Sequence, residues 1–275
     1  MKSFSGGTFT GVLEQVLHHH LTDALQGLLP HTINTYKLKQ VLDVNCRTGA
    51  WAIDLVLACP GVHVTGIDSD IRFIETARHN AEVGKVRFVR FYEAIPAKPF
   101  NFADQTFDLV HQAMFTPTLQ PNEWPAFLQQ CMRVMKSGAS INLTSLSLGP
   151  NSSEAYQRLI SLREQLLFAQ GYSFSEWPGP CSPGVHLCRL VNEAGFTNTT
   201  YTIHPLDLGG WNNSAGRACS QLFLNDIKRH KFLFLEYNLI HSEEFDALIT
   251  QQQKDLGEAD FCGTGALISV HAVKK

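Results

Sequence analysis

Apolar residues recur at helical spacing at 12, 13, 16, 17, 21, 25, 28 and 29, and Pro30 follows, predicting a helix over 12–29. Short apolar runs then alternate with further helical stripes. Residues 39–45 (KQVLDVN), 62–68 (VHVTGID), 86–91, 106–111 (TFDLVH) and 139–146 read as strands. Residues 50–59 and 71–83 read as helices, the first halted by Pro60 and Gly61. Before the fifth strand, Trp124, Phe127, Leu128, Cys131, Met132 and Met135 form one stripe. Asn122 is expected to cap that helix, with Pro125 in its first turn, Lys136 in its last and Gly138 just beyond. Strand and helix in steady alternation predict an α/β fold, a doubly wound and mostly parallel sheet with crossover helices.

The second half is less regular. A helix is expected over 153–169, then an aromatic- and proline-rich loop over 171–184 and a short helix over 185–194. A strand over 196–204, one or two helices over 214–237, a helix over 242–256 and a last strand over 263–273 complete the chain. The order suggests one domain over 1–275. Within it, 1–38 form a helical cap, 39–150 a nucleoside-binding core, 151–195 a lid or substrate segment, and 196–275 the completion of the sheet.

Composition narrows the function. With 44 % hydrophobic and 17 % charged residues the chain has material for a sizeable core. Lys+Arg 22 against Asp+Glu 25 leaves a net charge of −3, so no basic field collects phosphate backbones, and nucleic acid is not an expected partner. Apolar runs fall short of the ~18 residues a membrane helix needs, and residues 1–10 carry no apolar signal stretch; a cytoplasmic chain without membrane contact is expected. The basic cluster in 228–240 (KRHKFLFLEYNLI) reads as a solvated face. Seven cysteines without a C-x-x-C pair read as free thiols. His18, His19 and His20 are consecutive and point about 100° apart on a helix, so no metal site is expected.

One constellation carries chemistry. The strand in VLDVNCRTGAWA opens directly into a helix, and Asp68 ends the next strand 19 residues after Gly49. The turn exposes backbone N–H groups at a helix N-terminus, and the acid accepts hydrogen bonds from ribose hydroxyls. The spacing serves a nucleoside ligand without separating dinucleotides from S-adenosylmethionine. The G-x-G-x-x-G triplet of nicotinamide enzymes is absent, and Asp43 is foreign to their pattern.

Here the chain resembles the class I S-adenosylmethionine-dependent methyltransferases. The resemblance rests on VLDVNCRTGAWAIDL, VTGIDSDIRFIETAR, NFADQTFDLVH, WPAFLQQCMRVMKSGASINL and LCRLVNEAGF, in order over residues 40–205. It implies a Rossmann-like seven-stranded sheet with an antiparallel last strand, and a lid from the N-terminal helix and the segment after the fifth strand. It also implies S-adenosylmethionine as cofactor and S-adenosylhomocysteine as product. By the same resemblance Asp43, Asn45, Cys46, Arg47, Thr48 and Gly49 cradle the methionine part, and Asp68 holds the ribose. Ser69 and Phe73 flank the adenine, the acid-bearing stretch falls in Tyr92, Glu93 and Ala94, and His111, Gln112 and Ala113 face the sulfonium.

Two departures stand out: Asn45 and Arg47 replace glycines. If both positions need only positive φ, Asn45 costs about 1 kcal/mol and Arg47 about 1–2 kcal/mol. If position 47 needs a bare backbone, Arg47 closes the pocket; beside the cofactor carboxylate it binds, and beside the sulfonium it repels.

The remaining candidates carry two readings each. His111 is either a general base or a strand-end residue whose backbone touches the cofactor. His186 either faces substrate or bonds locally at a helix start. Tyr172, Phe174 and Trp177 either line a substrate pocket under a mobile loop or sit in an ordinary surface loop. Trp51 is expected under the first helix, away from the ligand. The stretch HQAMF lacks the Asn/Asp-Pro-Pro-aromatic signature of amine methylation on bases. The expected function is methyl transfer to a small, largely apolar molecule. The alternative is a methyltransferase-like fold that binds a ligand or steers a cyclisation or isomerisation.

Overall fold

The computed structural model describes residues 11–114, 117–179, 182–210 and 214–275. Seven strands, β1 (Gln40–Val44), β2 (His63–Asp68), β3 (Val89–Glu93), β4 (Phe107–Met114), β5 (Met135–Asn151), β6 (Thr197–Asp207) and β7 (Gly263–Val273), form one sheet in the order β3-β2-β1-β4-β5-β7-β6. β1 to β5 run parallel, and β7 is antiparallel to both its neighbours. The order reverses between β1 and β4. Connections leave the two strands in opposite directions there, opening a crevice at their carboxyl ends.

Helices α2 (Ala50–Ala58) and α3 (Ile71–Val83) cover β1 to β3, seating Leu55, Ile74 and Ala77 against Val41, Val64 and Phe91. On the opposite face, α4 (Trp124–Val134) and α6 (Leu187–Glu193) bring Trp124, Phe127 and Val191 onto Val110, Ile141, Leu143 and Val270. Helices α5 (Glu154–Ala169), α7 (Ser214–Arg229), α8 (Lys231–Glu236) and α9 (Ser242–Gly257) share a core of their own around Leu162, Leu224, Phe234 and Phe245. The segment 228–240 therefore differs from the solvated face expected of it: Leu233 and Phe234 are buried there, while Phe232 stays exposed. No helix among the described residues is long and apolar enough to cross a membrane.

The first helix, α1 (Gly11–Ala24), stops short of the expected 29. Gln26 and Gly27 turn left-handed (φ 61° and 140°), and the Gly27 N–H returns to the Thr22 carbonyl at 2.9 Å. Leu25, Leu28 and Leu29, which continue the helical spacing, thus lie in a turn above the sheet. Asn122 does not cap α4. Glu123 occupies the cap position, and its carboxylate accepts the Gln120 N–H at 2.7 Å. Nor do Lys136 and Gly138 end that helix: β5 begins at Met135, because Met135 pairs with Phe107 and Thr106 N–H bonds the Val134 carbonyl. The expected helix over 185–194 begins as a tight 3-10 turn, Pro183–His186.

Ser153 caps α5, accepting the Tyr156 N–H at 3.1 Å, and its Oγ lies 2.7 Å from Gln252 Oε1 and 2.6 Å from Asp255 Oδ2 on α9. One hydroxyl therefore ties two helices together. Ser153→Ala is expected to lower unfolding free energy by about 1–2 kcal/mol in urea denaturation. A loss below about 0.3 kcal/mol would show that the cap and the α9 contacts contribute nothing.

Candidate active site

The chain leaves β1 through a loop with three left-handed residues, Asn45 (φ 58°), Arg47 (φ 50°) and Gly49 (φ 77°). The glycine-like backbone path is thus kept with side chains at 45 and 47. Backbone bonds hold it: Cys46 N–H to the Ile67 carbonyl (3.0 Å) and Gly49 N–H to the Cys46 carbonyl (2.9 Å). Asn45 Nδ2 donates to Thr118 Oγ1 at 2.9 Å. At the end of β2, Asp68 Oδ2 accepts the Arg47 N–H (3.0 Å) and Oδ1 the Asp70 N–H (2.9 Å). Each carboxylate oxygen keeps a second lone pair for a ligand hydroxyl. Burial pushes the Asp68 carboxyl above its usual range, against those two N–H bonds and the Arg47 charge.

The Arg47 side chain does not lie open. Its Nε and Nη2 pair with Glu14 Oε2 and Oε1 at 3.1 and 2.5 Å, a fork-to-fork contact in which Glu14 is only 4 % exposed. The guanidinium also sits 4.7 Å over the Phe73 ring. Burial works against its charge, but Glu14 and Asp68 outweigh that, and the Arg47 pKa stands above its ordinary value. Glu14, Leu17, His18 and Leu21 lie at helical spacing on one side of α1 and roof a cavity of about 70 Å³ over the loop. His18 Nε2 to Asp54 Oδ2 (2.9 Å) and His20 Nε2 to the Asp207 carbonyl (2.7 Å) pin the same helix. Burial lowers the His18 pKa despite Asp54.

The floor of that cavity holds a second pair. Strand register sets Asp43 opposite His111, and Asp43 Oδ1 lies 2.9 Å from His111 Nδ1 with both groups buried. A carboxylate there fixes the proton on Nδ1 and leaves the Nε2 lone pair free. Burial raises the Asp43 pKa, and the bond to His111 opposes it; Oδ2 has no partner among the described residues. The Trp51 ring stacks on the imidazole at 3.6 Å and 6°. Its Nε1–H donates to the Leu28 carbonyl at 2.9 Å. Trp51, expected away from any ligand, is thus part of the cavity wall, because the second position of α2 points back over β1 and β4. A second cavity of about 260 Å³ lies between the turn 25–32 and β4, β5, β7 and β6, and shares Leu25, His111 and Thr144 with the first.

The other expected residues scatter. Ser69, Tyr92 and Glu93 are exposed at the strand ends, and the Ala94 N–H bonds the Asp68 carbonyl at 2.8 Å. Gln112 is fully buried, with its amide lacking partners among the described residues, and it lines neither cavity. The pocket expected from 171–184 is not where these cavities lie. Tyr172 packs into the helical core, Trp177 is 74 % exposed, and Phe174 stacks on His186 at 4.4 Å. Burial lowers the His186 pKa, and Arg189 adds to this. Aromatic richness marks the loop, but its rings turn to the helical core, to His186 and to solvent. Cys181, Phe115 and Thr116 lie outside the described residues. Glu14 was missed although it was legible as an acid at the head of the 17, 21, 25 stripe.

Residues 41–138 match the sequence family described as "Methyltransferase domain". The secondary metabolism regulator laeA of Aspergillus niger is 24 % identical over 173 residues, 62 % of this chain and 43 % of that protein. The release factor glutamine methyltransferase of Chlorobaculum tepidum is 30 % identical over 158 residues, 56 % and 49 % of the two chains. This chain thus spans about half the length of the curated relatives it matches. Among solved structures, the YcgJ protein of Bacillus subtilis superposes with a TM-score of 0.56 at 16 % identity, covering 94 % of this chain and 99 % of that one. A Haemonchus contortus phosphoethanolamine N-methyltransferase 2 in complex with S-adenosyl-L-methionine superposes at 0.53 and 16 % identity, covering 94 % and 52 %. Residues 41–138 are thus similar to a methyltransferase domain, and the sheet around them shares the Rossmann-like fold of these solved structures.

Proposed function

We propose that this chain transfers a methyl group from S-adenosylmethionine to a small molecule with an apolar body. The observation that carries the reading is the left-handed loop 45–49 beside Asp68 at the strand-order reversal, inside a matched methyltransferase domain. The donor set fits the cofactor: Asp68 retains two lone pairs for ribose hydroxyls, and Arg47 offers a carboxylate-binding fork. The space fits only as α1 lifts, since about 70 Å³ is well short of the roughly 300–1,000 Å³ of ordinary ligand pockets. Bound there, S-adenosylmethionine supplies an electrophilic methyl group on sulfur. Asp43 orients His111, whose Nε2 takes the proton of an acceptor hydroxyl, and Trp51 excludes water from one side of the imidazole. Leu17, Leu21 and Leu25 give apolar bulk a surface. The net charge of −3 speaks against nucleic acid as acceptor, and the free thiols support a cytoplasmic setting.

One observation favours a second reading: Arg47 and Glu14 together occupy the mouth of the loop cavity, as in a fold that has given up the cofactor. Calorimetric titration with S-adenosylmethionine and S-adenosylhomocysteine separates the two. Methyl transfer requires micromolar binding by the wild type, and Asp68→Ala is expected to weaken it by about 10- to 100-fold, the worth of one or two hydrogen bonds to a charged acceptor. Failure of the wild type to bind, with binding appearing in Arg47→Gly, would mean that the pocket is closed by substitution.

A further inference from the structure

From β1 to β6 the face of the sheet that carries His111 holds a row of polar residues, whereas on β2 and β3 the same row continues as Gly66 and Phe91. Register aligns Asp43, His111, Asn142, His271 and Thr200 in one row across β1, β4, β5, β7 and β6. The next row holds Ala113, Thr144, Ser269 and Thr202. At about 4.8 Å per strand the first row is roughly 19 Å long. The intervening residues, Val110, Ile141, Leu143, Val270 and Ala272, face the apolar core on the other side. A half-polar sheet is ordinary where water covers it. Here Asn142, Thr144 and Ser269 are buried, under a roof formed by Leu25, Leu28, Leu29 and Pro30.

Stability does not explain this floor. Buried hydroxyls and amides cost free energy unless fully bonded, and apolar residues would seal the roof better. The floor is only partly satisfied. Thr144 Oγ1 donates to Ser269 Oγ (3.1 Å), which donates to Asn142 Oδ1 (3.2 Å), and His271 Nε2 lies 3.1 Å from Ser140 Oγ. The chain of bonds leaves the Asn142 amide N–H groups without a partner among the described residues, one register position from the His111 imidazole. A donor and an acceptor then stand side by side at the junction of the two cavities.

We infer that this trough binds a planar hydroxylated carbonyl compound. Its hydroxyl donates to His111 Nε2, its carbonyl accepts from Asn142 Nδ2, and its apolar face lies under Leu25, Leu28 and Pro30. The volume of about 260 Å³ suits a small aromatic body. As the acceptor site the trough rests on the methyl-transfer reading, whereas as a binding site it stands alone.

The test titrates the full chain, without cofactor, with 3-hydroxyacetophenone, whose hydroxyl cannot reach its own carbonyl, and with acetophenone, which lacks the hydroxyl. Asn142→Leu removes the donor; Thr200→Trp fills the mouth from an exposed position and spares the buried floor. The wild type is expected to bind 3-hydroxyacetophenone with Kd below about 1 mM and acetophenone at least about tenfold more weakly, and either variant should lose at least about tenfold. No binding by the wild type, equal binding of both probes, or unchanged affinity in Thr200→Trp would overturn the inference. A parallel S-adenosylhomocysteine titration keeps the two claims apart. Its binding without the probe sinks the trough alone, and probe binding without it sinks methyl transfer alone.

Discussion

Gly49→Ala is expected to cost about 2–5 kcal/mol of stability and to abolish S-adenosylhomocysteine binding. Two effects add. An added Cβ meets the Phe91 ring at 2.5 Å and Ala77 Cβ at 2.9 Å, both in the core between α3 and the sheet. Overpacking of that kind typically costs about 1–3 kcal/mol, because neither neighbour is the far end of a flexible side chain. Position 49 also holds φ at 77°, for about 1–2 kcal/mol more. Gly138→Ala isolates the second effect: its φ is also 77°, but nothing lies within 4 Å of the new Cβ. Urea denaturation should show Gly138→Ala losing only about 1–2 kcal/mol. Equal losses in the two variants would mean that Phe91 gives way freely and that the loop is not sterically fixed. The binding loss follows because relief of the clash displaces the turn whose neighbours Arg47 and Cys46 are bonded to Asp68 and Ile67.

The fold was legible where the cause is local. Strand cores and helix stripes follow from periodicity, and α3 and β7 run over the residues that periodicity marks. Ends set by tertiary pairing were not. Nothing local says that Met135 joins Phe107 instead of closing α4, or that Gln26 turns left-handed. The site divides the same way. Asp68 and the 45–49 loop lie within one strand-turn-helix unit and its successor, so spacing and resemblance find them. Asp43 with His111 depends on a register between strands 68 residues apart in sequence, and Trp51 on His111 depends on how α2 lies on that pair. One further signal lies in β5. In INLTSLSL, Asn142 and Thr144 alternate with Ile141 and Leu143, whereas a sheet covered on both faces calls for a continuous apolar run. That alternation marks the polar trough.

Glu14→Gln should move stability and ligand affinity in opposite directions. Glu14 is nearly fully buried and meets Arg47 Nε and Nη2, so its neutralisation removes the largest opposing charge on a buried guanidinium; breaking such a pair costs at most about 3–5 kcal/mol, and Asp68 keeps part of the compensation. The cost falls on the docking of α1, whose other polar ties among the described residues include His18 to Asp54 and His20 to the Asp207 carbonyl, rather than on the sheet. Hydrogen exchange of amides 14–24 is expected to quicken while those of β1 and β4 stay protected. A ligand that enters only when α1 lifts has an apparent Kd equal to the intrinsic value divided by the open fraction. Each 1.4 kcal/mol taken from the closed state therefore tightens S-adenosylhomocysteine binding by about tenfold, until the open state dominates. The ligand carboxylate is then expected to take the fork that pairs with Glu14 here. Faster exchange in α1 together with weaker binding would reverse the assignment, making Glu14 part of the ligand's own contacts and not its competitor for Arg47.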